Sequence, residues 1–281
     1  MYQSKFLNKI RIVVVLGIGL LGASHVIFAG LSSSATDAEI AGELYLPSED
    51  PMAAVTAVIQ TARKNDKLAL VILGANWCHD SRGLASRFHQ EPMKSLIEEN
   101  YETIFVDVGY LNKGKQVIES LGPPVYYATP TVLIIDPVSG ELVNDHNRHQ
   151  WADAFSISMD DTVAYFRQMT AIDLNPLRAG SEIGLELQTL LEEIDAFEQA
   201  QADRLYKAYA VLGSMLKEYK EGDQEAFSEE KWNEVRDFRY KVPYDISALK
   251  TMASDRVQAG ESNIELEFPE YPVFSWEKDG Q

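Results

Sequence analysis

The sequence predicts an α/β fold, a central sheet flanked by helices, followed by an α-helical extension. Three observations carry that prediction. Leu68–Gly74 is a run of six apolar residues closed by glycine, the pattern of a strand buried on both faces. Between residues 40 and 172, runs of this kind alternate with segments of helical period, as in one compact α/β unit. Past Pro176 the alternation stops, and Leu187, Leu190, Leu191, Ile194, Phe197, Leu205, Tyr209, Leu212, Leu216 and Tyr219 recur at spacings of three and four, the stripe of an amphipathic helix.

In chain order, residues 52–64 carry Val55, Val58, Ile59 and Ala62 at helical spacing and predict a helix before the strand. Residues 81–100 predict a second helix, kinked near Pro92, with Leu84, Phe88, Met93, Leu96 and Ile97 on its inner side. Residues 103–108 read as a buried strand and 115–121 as a short helix. Residues 132–136, a turn at 137–140 and residues 141–143 predict a β-hairpin. Asp160, Asp161 and Thr162 are placed to cap a last helix through Val163, Phe166 and Met169. In the extension, 187–219 reads as one long helix or a broken pair, 227–239 as a helix that breaks before Pro243, and 245–257 as another. In the tail, 263–281, the stretch from 264 to 276 alternates apolar and acidic residues before its prolines, so it either adds an edge strand or lies on the surface.

The N-terminus reads differently. Lys5, Lys9 and Arg11 precede an uncharged run over 12–28 that ends at Ala29, the order of a secretory signal of an exported bacterial protein. Residues 1–29 are thus expected to be a signal peptide, or an anchor if uncleaved, with a flexible tether over 30–39. A periplasmic or otherwise extracytoplasmic location follows, membrane contact being limited to an uncleaved N-terminal segment. The single cysteine, Cys78, lies inside the folded region, so none follows the apolar run to accept lipid, and no internal disulfide can form. The 46% hydrophobic content supplies a core without one. A net charge of −18 argues against binding nucleic acid or anionic lipid surfaces and serves solubility.

Between the first strand and the next helix stand Trp77, Cys78, His79, Asp80 and Ser81, and further along Thr129, Pro130 and Thr131 open another strand. This order resembles the thioredoxin superfamily over residues 40–172, in a version with a single-cysteine Cys-x-x-Ser motif and a helical extension over 173–262. The resemblance implies a thioredoxin-like sheet flanked by helices, an exposed nucleophile at Cys78 whose thiolate the helix N-terminus favours, and a cis proline at Pro130 facing it, where an extended peptide is held. Cys78, His79 and Ser81 are the candidate catalytic residues, and Trp77, Thr129 and Pro130 the candidate substrate-binding residues. No cofactor and no resident metal are expected.

The departures matter equally. Ser81 stands where the family places its resolving cysteine, and a hydroxyl cannot release a mixed disulfide. Dithiol reductase cycling within this chain is therefore excluded, and a disulfide at Cys78 persists until an external thiol breaks it. Ile72 replaces the buried acid that many thioredoxins carry six residues before the first cysteine. His79 and Asp80 act on the thiolate in opposite senses, and Asp80 or Ser81 serving only as a helix cap is the plain alternative. For Cys78 the plain alternative is an inert buried thiol.

Two functional readings follow. In one, Cys78 exchanges disulfides with exported protein or peptide clients and a thiol reductant completes the cycle, in an isomerase-like manner. In the other, the fold serves as a non-catalytic binding or assembly module. A minor third reading, copper handling, rests on His79, His89, His146 and His149, because some thioredoxin-like proteins are copper chaperones. Its alternative is solvated loop histidines, since ligand spacing is absent. The leucine and tyrosine stripe of the extension reads as a packing face, with Glu192, Glu193, Asp195 and Glu198 on its solvated side.

Overall fold

A computed structural model describes residues 44–179 and 184–278; the expected signal or anchor over 1–29, the tether over 30–39 and the first residues of the 40–172 unit lie outside the described residues. Asp50 caps helix α1 (Pro51–Lys64) by accepting from the Ala53 amide at 2.8 Å, with Pro51 in its first turn. Strand β1 (Leu68–Gly74) follows, then helices α2 (His79–Phe88) and α3 (Met93–Asn100), strand β2 (Tyr101–Asp107), helix α4 (Lys115–Ser120) and strand β3 (Thr131–Ile135). A 3₁₀ segment (Arg148–Ser156) leads to helices α5 (Met159–Thr170) and α6 (Asn175–Ala179). The extension comprises α7 (Leu185–Glu221), α8 (Glu229–Gln258) and the short α9 (Ser275–Lys278).

The sheet has the order β2-β1-β3, with β1 parallel to β2 and antiparallel to β3. β1 is buried along its whole length, and its alternating side chains divide between two cores. Leu68, Leu70 and Ile72 pack with Leu84, Phe88, Trp151 and Phe166 on one face. Ala69, Val71 and Leu73 face the other core, which contains Ile194, Leu205, Tyr209 and Val235 from α7 and α8. Each fully buried branched side chain is worth about 1.5–3 kcal/mol relative to exposure, so the extension covers a sheet face that would otherwise be costly to hydrate. This is the expected α/β arrangement, a central sheet flanked by helices with a helical extension, and the extension shares the sheet's core.

Several elements differ from the sequence expectation. The 81–100 helix is two helices, separated by a turn containing the cis Glu91–Pro92 peptide. The hairpin is reduced to a bridge between Ile135 and Leu142. Buried Asn144 takes the place of the missing strand backbone, accepting from the Ile134 amide at 2.8 Å and donating to the Val132 carbonyl at 2.9 Å. Ser158, two residues before the expected Asp160–Thr162 group, caps α5 by accepting from the Asp161 amide.

Residues 185–221 form one unbroken helix, which ends at Gly222 with the left-handed φ of 118° typical of a helix terminus. α8 continues through Pro243 instead of breaking before it. Proline removes one helical hydrogen bond, but Phe238, Val242 and Ile246 on either side are buried, and that packing outweighs the local loss. Among the described residues the tail forms no strand; Phe268, Tyr271 and Phe274 bring it onto the extension, where Phe274 is buried beside Phe238.

Candidate functional site

The first half of the site is built where β1 stops. A Cβ on Gly74 would lie 2.6 Å from Tyr45 Cε1 and 2.7 Å from Ser81 Oγ, so only glycine lets the first turn of α2 sit this close to the strand end. The loop then closes on itself, the Cys78 amide donating to the Ala75 carbonyl at 3.1 Å and the Ala75 amide donating to Ser81 Oγ at 3.3 Å. Cys78 is thereby held at the N-cap of α2 in extended conformation (φ −86°, ψ 125°). The unpaired amides of a first helical turn and the helix dipole both favour a negative charge there.

Cys78 is 8% exposed. Its Sγ donates to the Thr129 carbonyl at 3.0 Å and accepts from Thr129 Oγ1 at 3.5 Å. The Thr129–Pro130 peptide is cis, Pro130 is buried, and Thr131 Oγ1 fixes the turn by donating to the Ala128 carbonyl at 2.7 Å. Trp77 is anchored through Nε1, which donates to the Gly109 carbonyl at 2.7 Å. The structure thus brings Trp77, Cys78, Thr129 and Pro130 together.

Ser81 is fully buried and its hydroxyl is engaged with the loop. Neither Ser81 nor Asp80 caps α2; the N-cap position is occupied by Cys78 without a side-chain cap bond. Asp80 is buried, and its Oδ1 accepts from the Phe155 amide at 2.9 Å, tying α2 to the 3₁₀ segment. His79 projects outward, with Nε2 3.2 Å from Asp80 Oδ2 and its ring edge-on to Phe155.

The second half of the site comes from more than a hundred residues downstream. A cavity of about 390 Å³ opens over Cys78, walled by Trp77 and Thr129 on one side and by Tyr219, Phe227, Trp232 and Tyr240 of the extension on the other. Lys220, Arg236 and Arg239 line the same wall. Arg239 also joins the two halves, its Nε donating to the Tyr127 carbonyl at 2.6 Å. These residues carry no local signal in the sequence, where their spacing reads as helix packing.

Below the cavity, Tyr127 Oη donates to Glu198 Oε1 at 3.3 Å, with Arg148 at 3.9 Å and Lys250 at 3.8 Å from the same carboxylate. Glu198 is 3% exposed, which corrects its assignment to the solvated side of α7, and burial raises its carboxyl above the ordinary range against those cations. His149, beside Tyr127, is pushed down to about 3, by burial first and then by Arg148. His89 and His146 are exposed, and among the described residues no three His, Cys, Asp or Glu side chains converge as a metal site. No helix among the described residues is long and apolar enough to cross a membrane.

No protein-family model and no curated protein matches this chain. Among solved structures, a disulphide isomerase from Xylella fastidiosa Temecula1 is similar at 22% sequence identity, over 45% of this chain and 95% of that one, with a TM-score of 0.40.

Proposed function

We propose that this chain is an exported bacterial thioredoxin-like protein that acts through one thiol, exchanging disulfides with extracytoplasmic protein clients. The observation that carries the reading is the juxtaposition of Cys78, at a helix N-terminus, with the cis Thr129–Pro130 loop at the mouth of a cavity. The Cys78 thiolate attacks one sulfur of a client disulfide. A Cys78–client bond forms, the client's S–S bond breaks, and the electron pair leaves on the second client sulfur, which takes a proton from solvent. His79 lines the same cavity as the thiol, while Trp77, Thr129 and Pro130 hold the client backbone. An external thiolate then attacks the mixed disulfide and restores Cys78, because Ser81 offers no second thiol. The N-terminal basic and apolar residues support export. No cofactor is required.

One observation favours the alternative of a non-catalytic binding module: the thiol is largely buried and donates to a carbonyl. The two readings separate in one experiment. The purified protein, mixed with a small neutral disulfide, is expected to form a stoichiometric Cys78 adduct that persists until an external thiol is added, with no turnover in insulin reduction. Absence of the adduct in the folded protein, or insulin reduction at dithiol rates, overturns the proposal.

A further inference from the structure

The wall that the extension lays over Cys78 has a charge opposite to that of the chain. The chain has 43 acidic against 25 basic residues, yet the cavity is lined by Lys220, Arg236 and Arg239 against a single carboxylate, Asp80, among the described residues. Asp80 is itself committed to the Phe155 amide and His79. Arg236 is paired with Asp237 at 3.0 Å and half exposed. Arg239 bonds a carbonyl and lies over the Tyr209 ring, and Lys220 lies near the Tyr219 ring; neither has a carboxylate partner among the described residues.

The space continues beyond this cavity, with Arg239 as the cation shared by both parts. A second cavity of about 340 Å³ shares Tyr127, Ala128, Ala152, Arg239 and Tyr240 with the first and has no carboxylate in its lining among the described residues. Two adjoining cavities make a groove longer than a single small molecule needs, with Cys78 in one compartment and Arg239 at the junction. On a protein whose summed charge repels anions at long range, a local cationic groove with aromatic walls selects an anionic occupant at short range.

We infer that the occupant is an extended, acidic, cysteine-containing peptide segment: its cysteine meets Cys78, its carboxylates meet Lys220, Arg236 and Arg239, and its apolar side chains lie against Trp232 and Tyr240. The inference rests on the thiol-exchange reading and adds the client's chemistry to it. The test uses one short cysteine peptide in acidic, neutral and basic versions, each activated as a thiopyridyl mixed disulfide. Cys78 attacks the peptide sulfur, the Cys78–peptide disulfide forms, and thiopyridone leaves with the electron pair and takes up a proton.

The acidic version is expected to react about tenfold or more faster than the basic one at low ionic strength, with the ratio collapsing in high salt. The double variant Lys220→Glu, Arg236→Glu, at two exposed positions, is expected to abolish or reverse the ratio while leaving the circular dichroism unchanged. Equal rates for all three peptides overturn the inference and leave thiol exchange standing. Thiopyridyl-activated mercaptosuccinate outpacing the acidic peptide also overturns it, assigning the groove to a small dicarboxylate. Failure of Cys78 to react with any of them removes the thiol-exchange reading and this inference together.

Discussion

Cys78 Sγ donates to the Thr129 carbonyl at 3.0 Å, bridging the start of α2 and the loop that opens β3. The sulfur is therefore both the candidate nucleophile and a tie between two loops that meet at the site. To attack, the thiol must give up its proton and become a thiolate, which converts this donor into an acceptor beside Thr129 Oγ1. Cys78→Ser keeps a donor at the position and is expected to alter stability by less than about 0.5 kcal/mol, whereas Cys78→Ala leaves the buried carbonyl unpaired and costs about 1 kcal/mol. Urea unfolding of the two variants checks the difference, and the serine variant then serves as the folded, thiol-free control.

Ser81→Cys places a second thiol where the first turn of α2 meets the end of β1. The substitution weakens the bond that Ser81 Oγ accepts from the Ala75 amide, a cost of about 1 kcal/mol. Under oxidising conditions the variant is expected to form an internal disulfide between Cys78 and the introduced thiol, visible as the loss of two hydrogens by mass spectrometry, and to gain slow insulin reduction. Persistence of two free thiols under oxidant would contradict this placement of Ser81.

Gly213 tests how the extension is fixed to the sheet. A Cβ there would lie 2.1 Å from the Tyr110 carbonyl oxygen, a backbone atom that cannot rotate away. Alanine in place of glycine inside a helix ordinarily stabilises by about 1 kcal/mol, but overpacking costs about 1–3 kcal/mol. Gly213→Ala is expected to be destabilising in net, and Gly213→Val more so. A rise in Tm for the alanine variant would show that α7 is not seated against Tyr110.

His149 gives the protein an acid sensitivity of known sign. Its folded pKa of about 3 lies below the ordinary value of 6.5, so between those values the unfolded chain binds the extra proton and stability falls as pH falls. Replacement by Leu is expected to flatten that part of the stability profile, measured by denaturant midpoints from pH 7 to pH 4. Asp136, held at about 2 chiefly by its bond to Arg178, adds a loss at lower pH, beginning below its ordinary value of 3.8. Arg178→Gln is expected to remove most of that second component.

β1 and α7 were legible in the sequence because each carries its periodicity without interruption. Leu68–Gly74 is buried on both faces, and the three-four spacing after residue 185 matches the buried stripe of α7. The expected hairpin and the expected break at Pro243 failed for opposite reasons. Asn144 stabilises β3 through its side chain, which no alternation pattern reveals. Pro243 carries a strong local signal for a break, which long-range burial of its neighbours overrides. The candidate site was half legible for the same reason. Trp77, Cys78, Thr129 and Pro130 follow a recognisable order, whereas Tyr219, Trp232, Arg236 and Arg239 meet them only through folding.

The most direct measurement of the central claim is the second-order rate of Cys78 with a small uncharged pyridyl disulfide, folded and in denaturant at the same pH. If the helix N-terminus and the cavity serve thiol exchange, the folded protein reacts faster than the unfolded chain, in which nothing favours the thiolate. A folded-state rate far below the unfolded one would show that the bond to Thr129 and the burial of Cys78 keep the sulfur inert, and would contradict the account.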